Sequence, residues 1–323
     1  MNKTIYKRAD FENGTEVRWC PGCGDYAILS ALQRILPELG LPPEQHVFVS
    51  GIGCAGRLPY YMNTYGFHTI HGRATAVATG LKAMRDDLCV WVITGDGDAL
   101  SIGTNHLIHC LRRNVNVKIL LVNNQVYGLT KGQFSPTSQK GQVTKTSPMG
   151  VSNQPVNPLT LALAAGASFV ARAVDKDPNQ LAEIIKKAHE HQGCAFIEIY
   201  QDCHIFNAGA FDEFTLKANR AEKTIALREG QPLQFGAAEE WALTLVEGQF
   251  QKVNMTTTEP YHHDSRNFMA AMHLARLAFP EYPVPLGIYY QERRELFDLS
   301  VKCNKTTADL PALYRAKASW QQG

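Results

Sequence analysis

Val90-Trp91-Val92-Ile93-Thr94-Gly95-Asp96-Gly97-Asp98 is an apolar run that ends in a small, acidic turn. A second run, Lys118-Ile119-Leu120-Leu121-Val122, closes on Asn123-Asn124. Short runs that are continuously apolar read as strands buried on both faces of a sheet. A carboxylate at the tip of one strand and an amide at the tip of another can converge on one hard cation, because Mg²⁺ asks for oxygen ligands in near-octahedral geometry. Mg²⁺ seldom has an all-protein cage, and it completes its shell with water and phosphate oxygens. Glycines beside Asp96 let the backbone come close to such a ligand. The pair therefore asks for a diphosphate clamped through a metal.

Taken alone, Gly95-Asp96-Gly97 is most simply a strand-to-loop turn. A dinucleotide fingerprint is a second rival, and it fails because the sixth position of Gly-x-Gly-x-x-Gly is Leu100.

Strand-like runs around 46–50, 89–94, 117–123, 168–171 and 195–200 alternate with helical patterns over 26–36, 75–86, 104–113, 159–165 and 179–190. Such alternation predicts an α/β fold, a parallel sheet with helices on both faces. Ligands in open sheets of this type bind beyond the carboxyl ends of the strands. Cys54, Asp96 and Asn124 all fall there. Asp177-Pro178 is a good N-cap followed by an N1 proline. Beyond Cys203 the texture changes: 211–229 is charged and mixed, and 255–258 has no useful pattern. Residues 266–279 read as one amphipathic helix, with Met269, Met272 and Leu277 among its apolar positions. The expected division is an α/β domain over 1–203 and a C-terminal extension over 204–323 that packs on the sheet or on a partner chain.

With 323 residues, 45% of them hydrophobic, the chain can bury a proper core. Thirty-two basic against 30 acidic residues give a net charge of +2, so neither nucleic acid nor a membrane surface is implied. No apolar run reaches the roughly 20 residues of a membrane span. Internal repeats and low-complexity segments are absent. Nothing at Met1-Asn2-Lys3 opens a signal peptide, so a reducing cytoplasm is the expected compartment.

Eight cysteines are too few for a disulfide scaffold of this length, and clustered thiols in a reducing compartment are metal ligands or catalytic groups. Cys20-Pro21-Gly22-Cys23 precedes a helical pattern, Cys54 ends the turn Gly51-Ile52-Gly53-Cys54, and Cys203 follows a strand. Four such thiolates suit structural zinc or a [4Fe–4S] cluster equally well by ligand type. Cys89, Cys110 and Cys194 read as small hydrophobes. Cys303, in a polar tail, is assigned no role.

Gly-Asp-Gly with Asn-Asn at the later strand tip resembles the thiamine-diphosphate signature. Asn124-Gln125-Val126-Tyr127-Gly128-Leu129-Thr130-Lys131-Gly132-Gln133, continuing to Ser135-Pro136-Thr137, resembles the β subunit of 2-oxoacid:ferredoxin oxidoreductases, closest to the 2-oxoglutarate type. The likeness covers most of residues 15–240. It implies a thiamine-diphosphate pyrophosphate-binding fold, with Mg²⁺ held by Asp96, Asn124 and the Val126 carbonyl. It implies a diphosphate site formed by Gly95, Asp96, Gly97, Asp98, Asn124 and the loop Val126, Tyr127, Gly128, Leu129 and Thr130. For the cysteines it decides in favour of iron: Cys20, Cys23, Cys54 and Cys203 would hold one [4Fe–4S] cluster, with Cys203-His204-Ile205-Phe206-Asn207 matching the family's fourth-ligand segment.

The family's activity is the CoA-dependent oxidative decarboxylation of a 2-oxoacid, here 2-oxoglutarate to succinyl-CoA and CO₂. Electrons pass through the cluster to ferredoxin, and the reaction is reversible. His71, in Phe67-His68-Thr69-Ile70-His71-Gly72-Arg73, is expected to orient the substrate carboxylate or move a proton; His68 is the weaker candidate. Arg57 matches a basic position facing the substrate, and Lys131 lies in the cofactor loop. An Arg fork or a Lys point charge is what a carboxylate-bearing substrate needs. The glutamate that activates the thiamine ring, and most of the coenzyme A site, belong to an α subunit, so an α2β2 heterotetramer is implied and this chain alone should be inactive. Two other readings stay open: a broad-specificity or pyruvate-type enzyme, and a non-redox thiamine-diphosphate decarboxylase or carboligase subunit with zinc on its cysteines. A zinc-stapled regulatory relative that keeps only the fold is a third.

Overall fold

The computed structural model describes residues 5–256 and 258–297, and Cys303 lies outside them. The strands in chain order are β1 (His46–Ser50), β2 (Tyr65–His68), β3 (Cys89–Gly95), β4 (Lys118–Asn123), β5 (Phe169–Val174) and β6 (Ala195–Tyr200). The later ones are β7 (Thr224–Leu227), β8 (Gln234–Phe235), β9 (Trp241–Val246), β10 (Gln249–Asn254) and β11 (Val284–Gln291). Among the described residues, eight of them form one sheet in the order β2-β1-β3-β4-β6-β5-β11-β7, and β10-β9-β8 form a small second sheet. Neighbours in the large sheet run parallel, except that β11 is antiparallel to β5.

Side-chain alternation along the strands builds two cores. Val47, Val49, Val90, Val92, Ile119 and Leu121 face one layer, covered by helices Ala74–Met84, Thr104–Arg112, Pro158–Ala164 and Phe268–Arg276. Phe48, Trp91, Ile93, Leu120, Val122 and Ile197 face the other, covered by Asp25–Ile35 and Pro178–Glu190. Each large apolar side chain buried this way contributes about 1.5–3 kcal/mol. Helices on both faces confirm the expected α/β class.

Departures from the sequence reading have local causes. Strand β5 runs on to Val174 because Arg172, which reads as a strand end, is buried against Glu198 of β6 (Nε to Oε2, 2.7 Å). Strand β2 carries no buried residue and lies at the sheet edge, so it left no apolar signal. The amphipathic helix is shorter than 266–279: Asn267 caps it by accepting from the Ala270 N–H at 3.0 Å, and it stops at Arg276. Two strands of the large sheet, β7 and β11, come from beyond residue 203, so the C-terminal region is stitched into the sheet edge by hydrogen bonds. Cys110 and Cys194 are buried in the first core, their sulfurs 4.0 Å apart, whereas Cys89 is only partly covered, 3.5 Å from His189 Nδ1. No described helix is long and apolar enough to cross a membrane.

Candidate functional site

Strand β3 ends at Gly95, and the short helix Asp96–Leu100 begins at once, which places the Asp96 carboxylate at the strand tip, 2% exposed. Its Oδ2 accepts from Ser135 Oγ and Thr137 Oγ1, both at 2.5 Å. Burial pushes this carboxyl up to about 6, against the opposing pull of those hydroxyls and of backbone N–H groups. A buried acid with this bias gains from a cation. At the tip of β4, Asn124 Oδ1 accepts from the Val126 N–H at 3.2 Å, and Asn124 Nδ2 donates to Gln201 Oε1 at 3.0 Å. The following residues fold back on themselves, with Tyr127 N–H donating to Gln133 O and Gly132 N–H to Tyr127 O, each at 2.9 Å.

Tyr127 seals this loop onto the short helix that follows β3: its hydroxyl donates to Gly97 O at 2.9 Å. A Cβ on Gly97 would lie 2.2 Å from the Tyr127 ring, so the turn needs glycine for the close approach rather than for its torsions. Gly97→Ala is therefore expected to cost about 1–3 kcal/mol through overpacking. A urea unfolding curve measures it, and a midpoint equal to the parent's would mean that the loop yields freely.

Asp98 anchors loops. Its carboxylate accepts from Thr94 Oγ1 at 2.6 Å, Gly72 N–H at 2.7 Å and Ile52 N–H at 3.1 Å, and lies 2.7 Å from His71 Nδ1. Two loops are thereby tied to the β3 tip. Gly51 makes room for this, since a Cβ there would sit 1.8 Å from Asp98 Oδ2. The contact also fixes the ring of His71: with Nδ1–H donated to the carboxylate, Nε2 is left as the proton-accepting edge of the neutral imidazole.

Asp96, Asn124, Val126, Cys54 and His71 line a single cavity of about 550 Å³, together with Gly95, Gly97, Asp98 and the stretch from Tyr127 to Thr130. That volume suits a cofactor-sized ligand. Arg57 and Lys131 stand outside the lining. Arg57 Nε donates to Tyr61 Oη at 2.9 Å with the guanidinium over the Tyr60 ring, and Lys131 is exposed in the turn with φ +78. His68 Nδ1 lies 2.9 Å from Gly56 O and 3.0 Å from Ser50 Oγ, away from the cavity.

The thiols of Cys54 and Cys203 lie behind Gly128, with those of Cys20 and Cys23 near them. A Cβ built on Gly128 would be 3.4 Å from Cys203 Sγ and 3.6 Å from Cys54 Sγ, so two sulfurs flank the cavity loop directly. The four influence one another electrostatically. Burial raises Cys23, Cys54 and Cys203, Cys54 to about 12. Backbone N–H groups of Ile205, Phe206 and Asn207 pull Cys203 the other way. Trp19 Nε1 holds the Cys54 carbonyl at 2.8 Å. Among the described residues, no three His, Cys, Asp or Glu side chains draw together tightly enough to chelate a single ion.

Sequence reading missed several residues that build this place. Ser135 and Thr137 stand in a quoted run, but nothing there foretold their hydroxyls on Asp96. Gln201 carries no local signal, and Asn207 stands in the quoted Cys203–Asn207 segment, but nothing there foretold its bond to Asn124 O at 2.8 Å.

The family of thiamine pyrophosphate enzymes, C-terminal TPP-binding domain, matches residues 51–199, the strands that carry the cavity. The 2-oxoglutarate oxidoreductase subunit KorB of Mycobacterium tuberculosis is 60% identical over 73% of this chain, and the match spans 63% of that relative's length. The 2-oxoglutarate synthase subunit KorB of Archaeoglobus fulgidus is 40% identical over 68% of this chain and 82% of its own. A solved chain of 2-oxoglutarate:ferredoxin oxidoreductase from Magnetococcus marinus, determined with 2-oxoglutarate, coenzyme A and succinyl-CoA bound, superposes with a TM-score of 0.77 at 33% identity. That match covers 98% of both chains. With a thiamine-diphosphate-type cavity at the strand tips and relatives of this kind along its length, the chain belongs to the family of β subunits of 2-oxoacid:ferredoxin oxidoreductases, in its 2-oxoglutarate branch.

Proposed function

We propose that this chain is the β subunit of a CoA-dependent 2-oxoglutarate:ferredoxin oxidoreductase, converting 2-oxoglutarate reversibly to succinyl-CoA and CO₂ with ferredoxin as electron partner. The observation that carries the reading is that one loop, 126–130, has a buried carboxylate–amide pair on one side and the sulfurs of Cys54 and Cys203 on the other, with Cys20 and Cys23 near enough to interact with them electrostatically. Asp96, Asn124 and the Val126 carbonyl are an all-oxygen donor set of the kind Mg²⁺ takes when it bridges to a diphosphate. Thiamine diphosphate in this cavity supplies the carbanion chemistry on the 2-oxoacid carbonyl. Cys20, Cys23, Cys54 and Cys203, four thiols close enough to influence one another electrostatically, would hold a [4Fe–4S] cluster, which would take up electrons.

The chain's own side chains supply position and proton handling. Asp98 holds His71 so that Nε2 can accept a proton, or a hydrogen bond from substrate, at the cavity wall. Tyr61 grips Arg57 through Nε, which leaves the two terminal nitrogens as an end-on fork for a distal carboxylate. Lys131 adds a point charge beyond the loop. The remaining catalytic groups and most of the coenzyme A site come from an α subunit in an α2β2 assembly.

A panel of 2-oxoacids, assayed with a viologen dye on the chain alone and on the chain co-expressed with its α partner, tests this. Activity is expected only in the complex, with 2-oxoglutarate preferred over pyruvate. Arg57→Ala should lower the rate with 2-oxoglutarate more than that with pyruvate. Full activity of the isolated chain would refute the two-subunit reading. Equal losses for both acids would remove Arg57 from substrate selection and favour a broad-specificity enzyme.

A further inference from the structure

Gln201 is 1% exposed, and its side chain touches both halves of the site, Asn124 on one side and Cys23 on the other. It sits immediately after β6, and its N–H donates to Asn123 O at 3.0 Å, which holds it beside the tip of β4. Its Nε2 donates to Asp202 O at 2.5 Å and to Cys23 Sγ at 3.3 Å. Its Oε1 accepts from Asn124 Nδ2 at 3.0 Å.

The chemistry of these partners fixes the orientation. A backbone carbonyl can only accept, so the Gln201 atom facing Asp202 O must be the nitrogen. The oxygen then faces Asn124 and requires the amide nitrogen of that side chain. Asn124 Oδ1 is thereby turned the opposite way, to the Val126 N–H at the cavity wall. One main-chain carbonyl thus sets two amides in series, and the second presents oxygen where the metal–diphosphate would lie.

The other end of Gln201 acts on sulfur. Hydrogen bonds to the thiolates of an iron–sulfur cluster are among the factors that set its reduction potential. An N–H donor stabilises the more negative, reduced form and so raises the potential. We infer that Gln201 is a positioning residue that serves both cofactors at once: it turns Asn124 toward the metal–diphosphate and tunes the cluster through Cys23. This rests on the proposed thiamine-diphosphate and [4Fe–4S] reading of the site. It makes the electron donor and acceptor sites share one polar contact, so a change at either is felt at the other.

Two variants in the co-expressed complex separate the roles. Gln201→Leu removes both contacts. It should weaken Mg²⁺-dependent thiamine diphosphate binding by about 10–100-fold, the usual loss for a partner behind a metal ligand, and should move the cluster midpoint to a more negative potential. Gln201→Glu keeps an oxygen acceptor for Asn124 and, as a buried neutral carboxyl, one O–H for Asp202 O, but has no second donor for Cys23, so its potential should fall while cofactor affinity stays within a few-fold of the parent. Affinity is read by calorimetric titration with thiamine diphosphate and Mg²⁺, and potential by redox titration followed by electron paramagnetic resonance. An unchanged potential in both variants, or unchanged affinity in Gln201→Leu, overturns the inference. If the parent complex itself holds no cluster or binds no thiamine diphosphate, the functional reading fails instead, and the parent control identifies that case. Should Gln201→Leu fail to assemble, the split seen in Gln201→Glu decides alone.

Discussion

Asp96→Asn is expected to reduce Mg²⁺-dependent thiamine diphosphate affinity by more than about 100-fold, beyond the range seen for partners one step removed from a metal. The substitution keeps shape and removes charge. Ser135 and Thr137 can still surround the side chain, but a neutral amide is a poor anchor for a divalent ion beside a diphosphate. The apoprotein should respond in the opposite direction. Asp96 titrates at about 6 in the fold against an ordinary 3.8, because burial penalises the ionised form. Between those values the folded chain binds more protons than the unfolded one, so stability falls as pH rises from about 4 to 6 and stays lower above it. The cost of carrying ionised Asp96 at pH 7 is then roughly 3 kcal/mol. Asp96→Asn avoids it, so without cofactor the variant should unfold at higher urea than the parent at pH 7, and near the same concentration at pH 4. Added cofactor and Mg²⁺ should stabilise only the parent, by mass action. The same titration makes cofactor binding by the parent weaken below pH 6, as protons compete with the metal. A variant that binds the cofactor within tenfold of the parent would remove Asp96 from the metal site.

Cys54→Ala should abolish the brown colour of the complex and its 2-oxoacid-dependent viologen reduction, while thiamine diphosphate still binds. Cys54 is the informative choice because its sulfur flanks Gly128, at the wall shared with the cofactor cavity. On the proposed ligand set, losing Cys54 should interrupt electron exit without touching Asp96 or Asn124. Cys89→Ala is the matched control, a thiol remote from the cage that should leave colour and rate intact. Iron and sulfide analysis reads both. Colour retained in Cys54→Ala would place the cluster on the partner chain, and zinc in place of iron would restore the non-redox alternative.

The parts of the site legible in the sequence are those that local chain geometry dictates. Continuous apolar runs fixed where strands end, and the tips of β3 and β4 carried Asp96 and Asn124 with them. Two things stayed hidden. Contacts such as Thr137 on Asp96 or Gln201 on Asn124 join residues far apart in the chain, and no periodicity encodes them. Asp98 lines the cavity, as its place beside Asp96 suggests, but the hold of its carboxylate on Thr94, Ile52, Gly72 and His71 is set by how loops meet and has no sequence signal. Arg57 shows the converse. A basic residue near Cys54 can be placed by sequence, but its bond to Tyr61 Oη and its position just outside the cavity lining cannot. Strands β7 and β11 escaped for a different reason: β11 is interrupted by Pro285 and Gly287, and β7 is short and half-exposed.

The antiparallel seam between β5 and β11 ties the middle of the chain to a segment made much later. During synthesis β5 must wait, one backbone edge unsatisfied, until the more than 100 residues that separate it from Val284–Gln291 have been made. Distant pairings of this kind slow folding and leave sticky edges open in the interval. The pyrophosphate-binding half is therefore no portable module: cut at residue 203, it would expose the Phe169–Val174 edge to whatever strand came next.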